Sequence, residues 1–191
     1  MTRAAEELPM IHLKAGELYC SDQPALVVTV LGSCASVTFY SRRLGIGGIC
    51  HGMLPTCGKG ASCAGDCAEK FTYVDCAIRQ MAKFFDRCGV RRSEIEVKCF
   101  GGADMFAQAA EKPGLLSVGR QNCLIAEQTI KREGLTLVSR DLGGRQGRKI
   151  FFYTHTGEVL LKRLTGSGEV SVAAPQRLPL TGLSAPWTGE A

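Results

Sequence analysis

No stretch of this chain holds the eighteen or so uninterrupted apolar residues that a membrane-spanning helix needs, so no membrane insertion is expected. The opening MTRAAEELPMIHLK lacks an apolar core of signal-peptide length, which points to a cytoplasmic location. None of the ten cysteines forms a Cys-x-x-Cys pair, and without that pairing the strongest sequence signal for zinc is missing. The tightest cluster, Cys57, Cys63 and Cys67, has gaps of five and three residues. The one histidine near it in sequence is His51, which has a better role below. No metal and no cofactor are therefore expected. Reduced thiols fit a chain without an export signal, and the cysteine loop reads as solvent-facing and redox-sensitive. Long charge runs are absent too. The net charge of +5 comes from scattered short groups such as Arg42-Arg43 and Arg91-Arg92. With no aromatic-basic interleaving, nucleic acid is a poor partner, and an acidic protein surface a better one. No internal repeat or second domain is visible.

What the chain does contain is a globular composition, 45% apolar and 21% charged over 191 residues, enough for one domain with a real core. Residues 1–165 read as that domain. Residues 166–191, rich in Gly, Ser, Pro and Thr with Trp187 alone among them, read as a disordered tail.

The organising stretch is 29–55, TVLGSCASVTFYSRRLGIGGICHGMLP. A β-branched apolar run ends at Gly32-Ser33-Cys34, and a later apolar segment carries His51 between Cys50 and Gly52. A thiol at a glycine-marked break and a histidine on a neighbouring segment are the minimum parts of a cysteine nucleophile and its base. Gly32 permits a sharp turn, and outward-facing amides at Ser33 and Cys34 would hold an oxyanion. A buried cysteine and a core-lining histidine at a strand end would give the same pattern.

Around this stretch the periodicity predicts strands near 10–20, 25–31, 34–40, 45–54, 95–100, 135–138, 149–153 and 158–164. It predicts one helix from about Phe71, with an Asp66–Glu69 capping box and Gly89 closing it, and a second over Val118–Arg132. A short helical segment is expected in ADMFAQAA. Gly101-Gly102 reads either as cleft lining or as a tight strand-to-helix turn. Gln121 and Asn122 either lie on the surface or reach the candidate site. Arg145, Arg148 and His155 read as exposed loop residues.

The words LGSCASV, GIGGICHGMLP, YVDCAI, FGGADMF, VGRQN and DLGGRQGRK occur in that order between about Leu18 and Leu164. Together they resemble the CheD family of chemoreceptor glutamine deamidases. The resemblance implies an α+β fold, a single layered domain with mixed β-sheets and two main helices, distantly similar to cysteine-dependent deamidating toxins. It implies Cys34 as nucleophile and His51 as base; Ser33, Gly32, Gly101 and Gly102 are candidate substrate-binding residues on the local reading alone, Ser33 either donating to substrate or shaping the turn. It implies methyl-accepting chemoreceptor signalling helices as substrate and a CheC-type phosphatase as a second partner. The family's functional threonine stands about six residues ahead of its cysteine, where this chain has Val28. Thr29 comes one position later, so it serves only if a bulge or shifted register turns it the right way. The alternative is a non-catalytic CheD-like regulatory protein that binds receptors or the phosphatase.

Overall fold

The computed structural model describes residues 8–58, 69, 71–104, 116–164 and 176–177. In chain order the elements are β1 (Met10–His12), β2 (Leu18–Ser21), β3 (Leu26–Leu31), β4 (Ala35–Ser41), β5 (Ile46–Gly52), α1 (Val74–Arg87), β6 (Ile95–Gly101), α2 (Val118–Arg132), β7 (Thr136–Leu142), β8 (Arg148–Tyr153), β9 (Val159–Arg163) and β10 (Gln176–Arg177). They form two five-stranded sheets, ordered β1-β3-β8-β9-β10 and β2-β5-β4-β6-β7. Both are mixed: β1 runs parallel to β3 and β6 parallel to β7, while the remaining pairs are antiparallel.

Layering follows from how the apolar residues divide. Val27, Leu31, Ile49, Phe100, Ile150 and Phe152 form one buried cluster between the two sheets. Val37, Phe39, Val97 and Cys99 join Ile78, Met81, Phe85 and Ile130 in a second cluster beneath the helices. Strands β4 and β5 lie between these layers, and every one of their residues is buried. Gly47 and Gly48 let the layers close on β5. A Cβ at Gly47 would lie 2.4 Å from the Thr154 carbonyl oxygen of the facing sheet, and one at Gly48 would lie 2.8 Å from Cys20 Sγ. The α+β class with two main helices is the one the sequence implies.

Helix α1 buries Val74, Ala77, Ile78, Met81 and Phe85, the stripe that its periodicity predicts. Its start differs from expectation. It begins at Val74 with Tyr73 in the cap position and no side-chain cap, so Phe71 precedes the helix. Of the expected capping box only Glu69 is among the described residues. The backbone supplies the entrance instead: Met53 and Leu54 N–H both donate to the Thr72 carbonyl, and Val74 N–H donates to that of Leu54. Helix α2 spans the predicted residues, and its Ser117 cap accepts from the Arg120 N–H at 3.3 Å.

Two loop residues read as exposed are not. Arg148 is fully buried, donating to the Asp141 carboxylate and to the Asp141 and Gly143 carbonyls. That fork of acceptors satisfies the two Nη groups of the enclosed charge, while its buried Nε has no partner among the described residues. His155 is half-buried: its carbonyl accepts from Tyr40 Oη at 2.9 Å, and its ring stands edge-on to Tyr153. Strand β10 pairs Gln176 with Leu161, which brings part of the 166–191 stretch onto a sheet edge where disorder was expected. The ADMFAQAA helix lies mostly outside the described residues. Among the described residues no helix is long and apolar enough to cross a membrane.

Candidate active site

Strand β3 ends at Leu31, the chain turns through Gly32-Ser33-Cys34, and β4 begins at Ala35. That turn is held by the end of β6. Gly102 N–H donates to the Cys34 carbonyl at 2.8 Å, and Ala103 N–H to that of Gly32 at 2.9 Å. Both bonds need the glycines at 101 and 102, whose φ values are +116° and +66°. A Cβ at Gly101 would stand 2.2 Å from the Cys34 carbonyl oxygen, and one at Gly102 would stand 2.4 Å from that of Gly119. Three backbones meet here with no room for a side chain. Gly101-Gly102 therefore forms the strand-end turn and also touches the cysteine loop.

His51 points between the sheets, as Ile49 does, and is only 4% exposed. Its Nδ1 lies 2.7 Å from Thr29 Oγ1, which in turn donates to the Leu13 carbonyl at 2.9 Å. A hydroxyl has one proton. With that proton on the Leu13 carbonyl, Thr29 can only accept from His51, so Nδ1 carries the hydrogen and Nε2 keeps its lone pair. Nε2 is buried with no hydrogen-bond partner among the described residues. Thr29, one place after Val28, faces the imidazole, because β3 approaches it from the opposite sheet. Ser36, paired with His51 across the β4–β5 ladder, also has a buried hydroxyl with no partner among the described residues.

Cys34 is half-buried and packs against the cluster between the sheets, on the side that His51 faces. Because Ser36 pairs with His51 and Ala35 with Gly52, Cys34 is the diagonal neighbour of His51. Such neighbours stand about 7–8 Å apart between Cα atoms, with side chains closer. The two groups make no hydrogen bond at rest, which is common before substrate binds. Burial pushes the Cys34 thiol up from its ordinary value, partly offset by its own backbone amide. Burial also pushes the His51 imidazole down, partly offset by the Leu13 carbonyl and the Glu17 carboxylate. Both shifts favour a neutral thiol beside a neutral imidazole.

A family model described as CheD chemotactic sensory transduction matches residues 53–163, beginning just past His51. A Geobacter sulfurreducens protein named probable chemoreceptor glutamine deamidase CheD 2 is 44% identical over 164 residues, 86% of this chain and 96% of its own length. Proteins named probable chemoreceptor glutamine deamidase CheD from Maridesulfovibrio salexigens and Archaeoglobus fulgidus are 36% and 32% identical. They cover 86% and 79% of this chain and 97% and 91% of their own. This chain belongs to the CheD family. Among solved structures, a Bacillus licheniformis hypothetical protein, YfiH, matches with a TM-score of 0.43 and 12% identity, over 65% of this chain and 49% of its own.

Within this CheD-family chain the sequence left one residue beside the cysteine undecided. Asn122, on α2, is fully buried, and its Nδ2 donates to the carbonyls of Ser33 and Met53, each at 2.9 Å. Its neighbour Gln121 turns back to the Leu116 carbonyl instead. The helical period could have marked Asn122, since it shares a stripe with Ala126 and Thr129, which are also buried.

Of the clustered cysteines, Cys57 is half-buried rather than solvent-facing. Cys63 and Cys67 lie outside the described residues, whereas Cys57 meets Asp75 and Cys76, all three within 4.8 Å of one another. The position is already occupied by a positive charge. Arg79 Nη2 reaches Asp75 Oδ2 at 3.0 Å and Cys76 Sγ at 3.3 Å, and Asp75 Oδ1 takes the Cys76 N–H. A guanidinium among these donors disfavours a metal cation there.

Proposed function

We propose that this protein is a protein-glutamine deamidase that converts selected glutamines of methyl-accepting chemoreceptors to glutamate in the cytoplasm, with Cys34 as nucleophile and His51 as base. The observation that carries the catalytic assignment is the buried relay from His51 Nδ1 through Thr29 to the Leu13 carbonyl, which leaves Nε2 free to take a proton. The names of the relatives support the substrate.

In this reading the thiol is neutral at rest, and His51 Nε2 removes its proton as sulfur attacks the glutamine side-chain carbonyl. The carbonyl oxygen becomes an oxyanion held by the Ser33 and Cys34 amides. His51 then returns the proton to nitrogen, the C–N bond breaks, ammonia leaves, and a thioester remains on Cys34. Water, deprotonated by the same imidazole, cleaves the thioester to a carboxylate and restores the thiol. Thr29 orients the ring and is a positioning residue. Gly101 and Gly102 let the backbones around the cysteine loop close on one another, and Gly32 gives the turn its freedom, beside where the glutamine side chain would enter. A CheC-type phosphatase is the proposed second partner.

The test uses a chemoreceptor cytoplasmic fragment, following ammonia release and the one-dalton mass gain per site. Cys34→Ala and His51→Ala should each abolish turnover while still binding the fragment. Turnover by Cys34→Ala at the wild-type rate would falsify the assignment.

A further inference from the structure

We infer that Asn122 is a positioning residue that aims the Cys34 backbone N–H at the oxyanion; this rests on the deamidase reading. The β4–β5 ladder ends at Ala35 paired with Gly52, so no rung fixes the residues beyond it. Ser33 and Met53 lie just beyond the ends of β4 and β5, one beside the nucleophile and the other two residues past the base. Asn122 spans the gap, using both hydrogens of one amide nitrogen on the Ser33 and Met53 carbonyls. It takes the place of the missing rung from a helix in the adjacent layer.

The Ser33 carbonyl and the Cys34 N–H belong to one planar trans peptide, so they point in opposite directions. Pinning the carbonyl toward α2 therefore turns the N–H, which belongs to the nucleophile's own residue, away from the helix. A donor held there is where the tetrahedral oxyanion would form once sulfur has attacked. The Cys34 carbonyl, on the next peptide, is held independently by Gly102 N–H at 2.8 Å. Both peptides flanking the nucleophile are thus fixed, one by backbone and one by Asn122. The Asn122 Oδ1 is buried with no partner among the described residues. That cost is tolerated where the amide nitrogen's two bonds fix the geometry.

The test separates oxyanion placement from general support. Asn122→Leu removes both donors at similar volume, and Asn122→Asp removes them at the same shape. Deamidation requires the oxyanion donor, whereas alkylation of Cys34 by iodoacetamide requires only the sulfur. In each variant kcat for deamidation should fall about 10- to 100-fold, less than or near the loss from deleting a donor outright. KM and the Cys34 alkylation rate should stay within about threefold. A kcat within twofold of wild type in a folded variant overturns the inference. So does an equal fall in alkylation and deamidation, which would mean that the loop has simply come apart. Absence of turnover in the wild-type protein sinks the deamidase reading itself, and this inference with it.

Discussion

Thr29 ties the imidazole of His51 to the far sheet, and its hydroxyl fixes which ring nitrogen is free. Thr29→Val keeps the shape and deletes the relay, so kcat should drop about tenfold or more while Thr29→Ser retains most activity; steady-state assays on a receptor fragment decide it. The pH dependence has a definite sign. Burial holds His51 below the ordinary histidine value of about 6.5, so the acid limb of kcat/KM should lie below that pH. The unfolded chain takes up this proton at higher pH than the folded one. The stability contributed by neutral His51 is therefore complete above about pH 6.5 and is lost as pH falls from there toward the folded value. An acid limb above pH 7 would contradict the assignment of the base. Cys34 and His51 could be picked out because a thiol stands at a glycine-marked break and one of only three histidines lies on the next apolar segment. Thr29 was not settled, because counting residues along β3 cannot say which facing sheet the strand meets.

Among the elements, the β6 end matters most, since Gly101 and Gly102 abut the cysteine loop. Gly101→Ala would drive a methyl into the Cys34 carbonyl at a φ of +116°, a conformation that an alanine resists. A loss of about 1–3 kcal/mol in stability is expected by chemical denaturation, together with at least a tenfold fall in kcat. Unchanged kinetics would show that the loop does not depend on this contact. Strand and helix positions followed closely from period-two and helical patterns, as at Val118–Arg132 and Ile95–Gly101. The start of α1 did not, because backbone carbonyls of the β5 exit, and no capping side chain, set it.

For the molecule as a whole, the order of strands within each sheet lay beyond local pattern. Parallel pairing of β1 with β3 and of β6 with β7 depends on long-range packing, which no window of sequence reports. The same is true of Arg148, whose glycine-rich neighbourhood suggests solvent although Asp141 and two carbonyls enclose it. Leu54 bridges to Tyr73, and the bonds to Thr72 and Val74 flank that bridge, so the two ends of the intervening excursion are knotted side by side. Loop closure depends only weakly on length, about 0.6 kcal/mol per doubling. Exchanging residues 59–68 for a short Gly-Ser linker should therefore leave the unfolding free energy within about 1 kcal/mol of the parent. A larger loss in a denaturant titration would refute this. A value near the parent's would mean that the chain between the two tethers can change in length while the histidine strand behind them keeps its register.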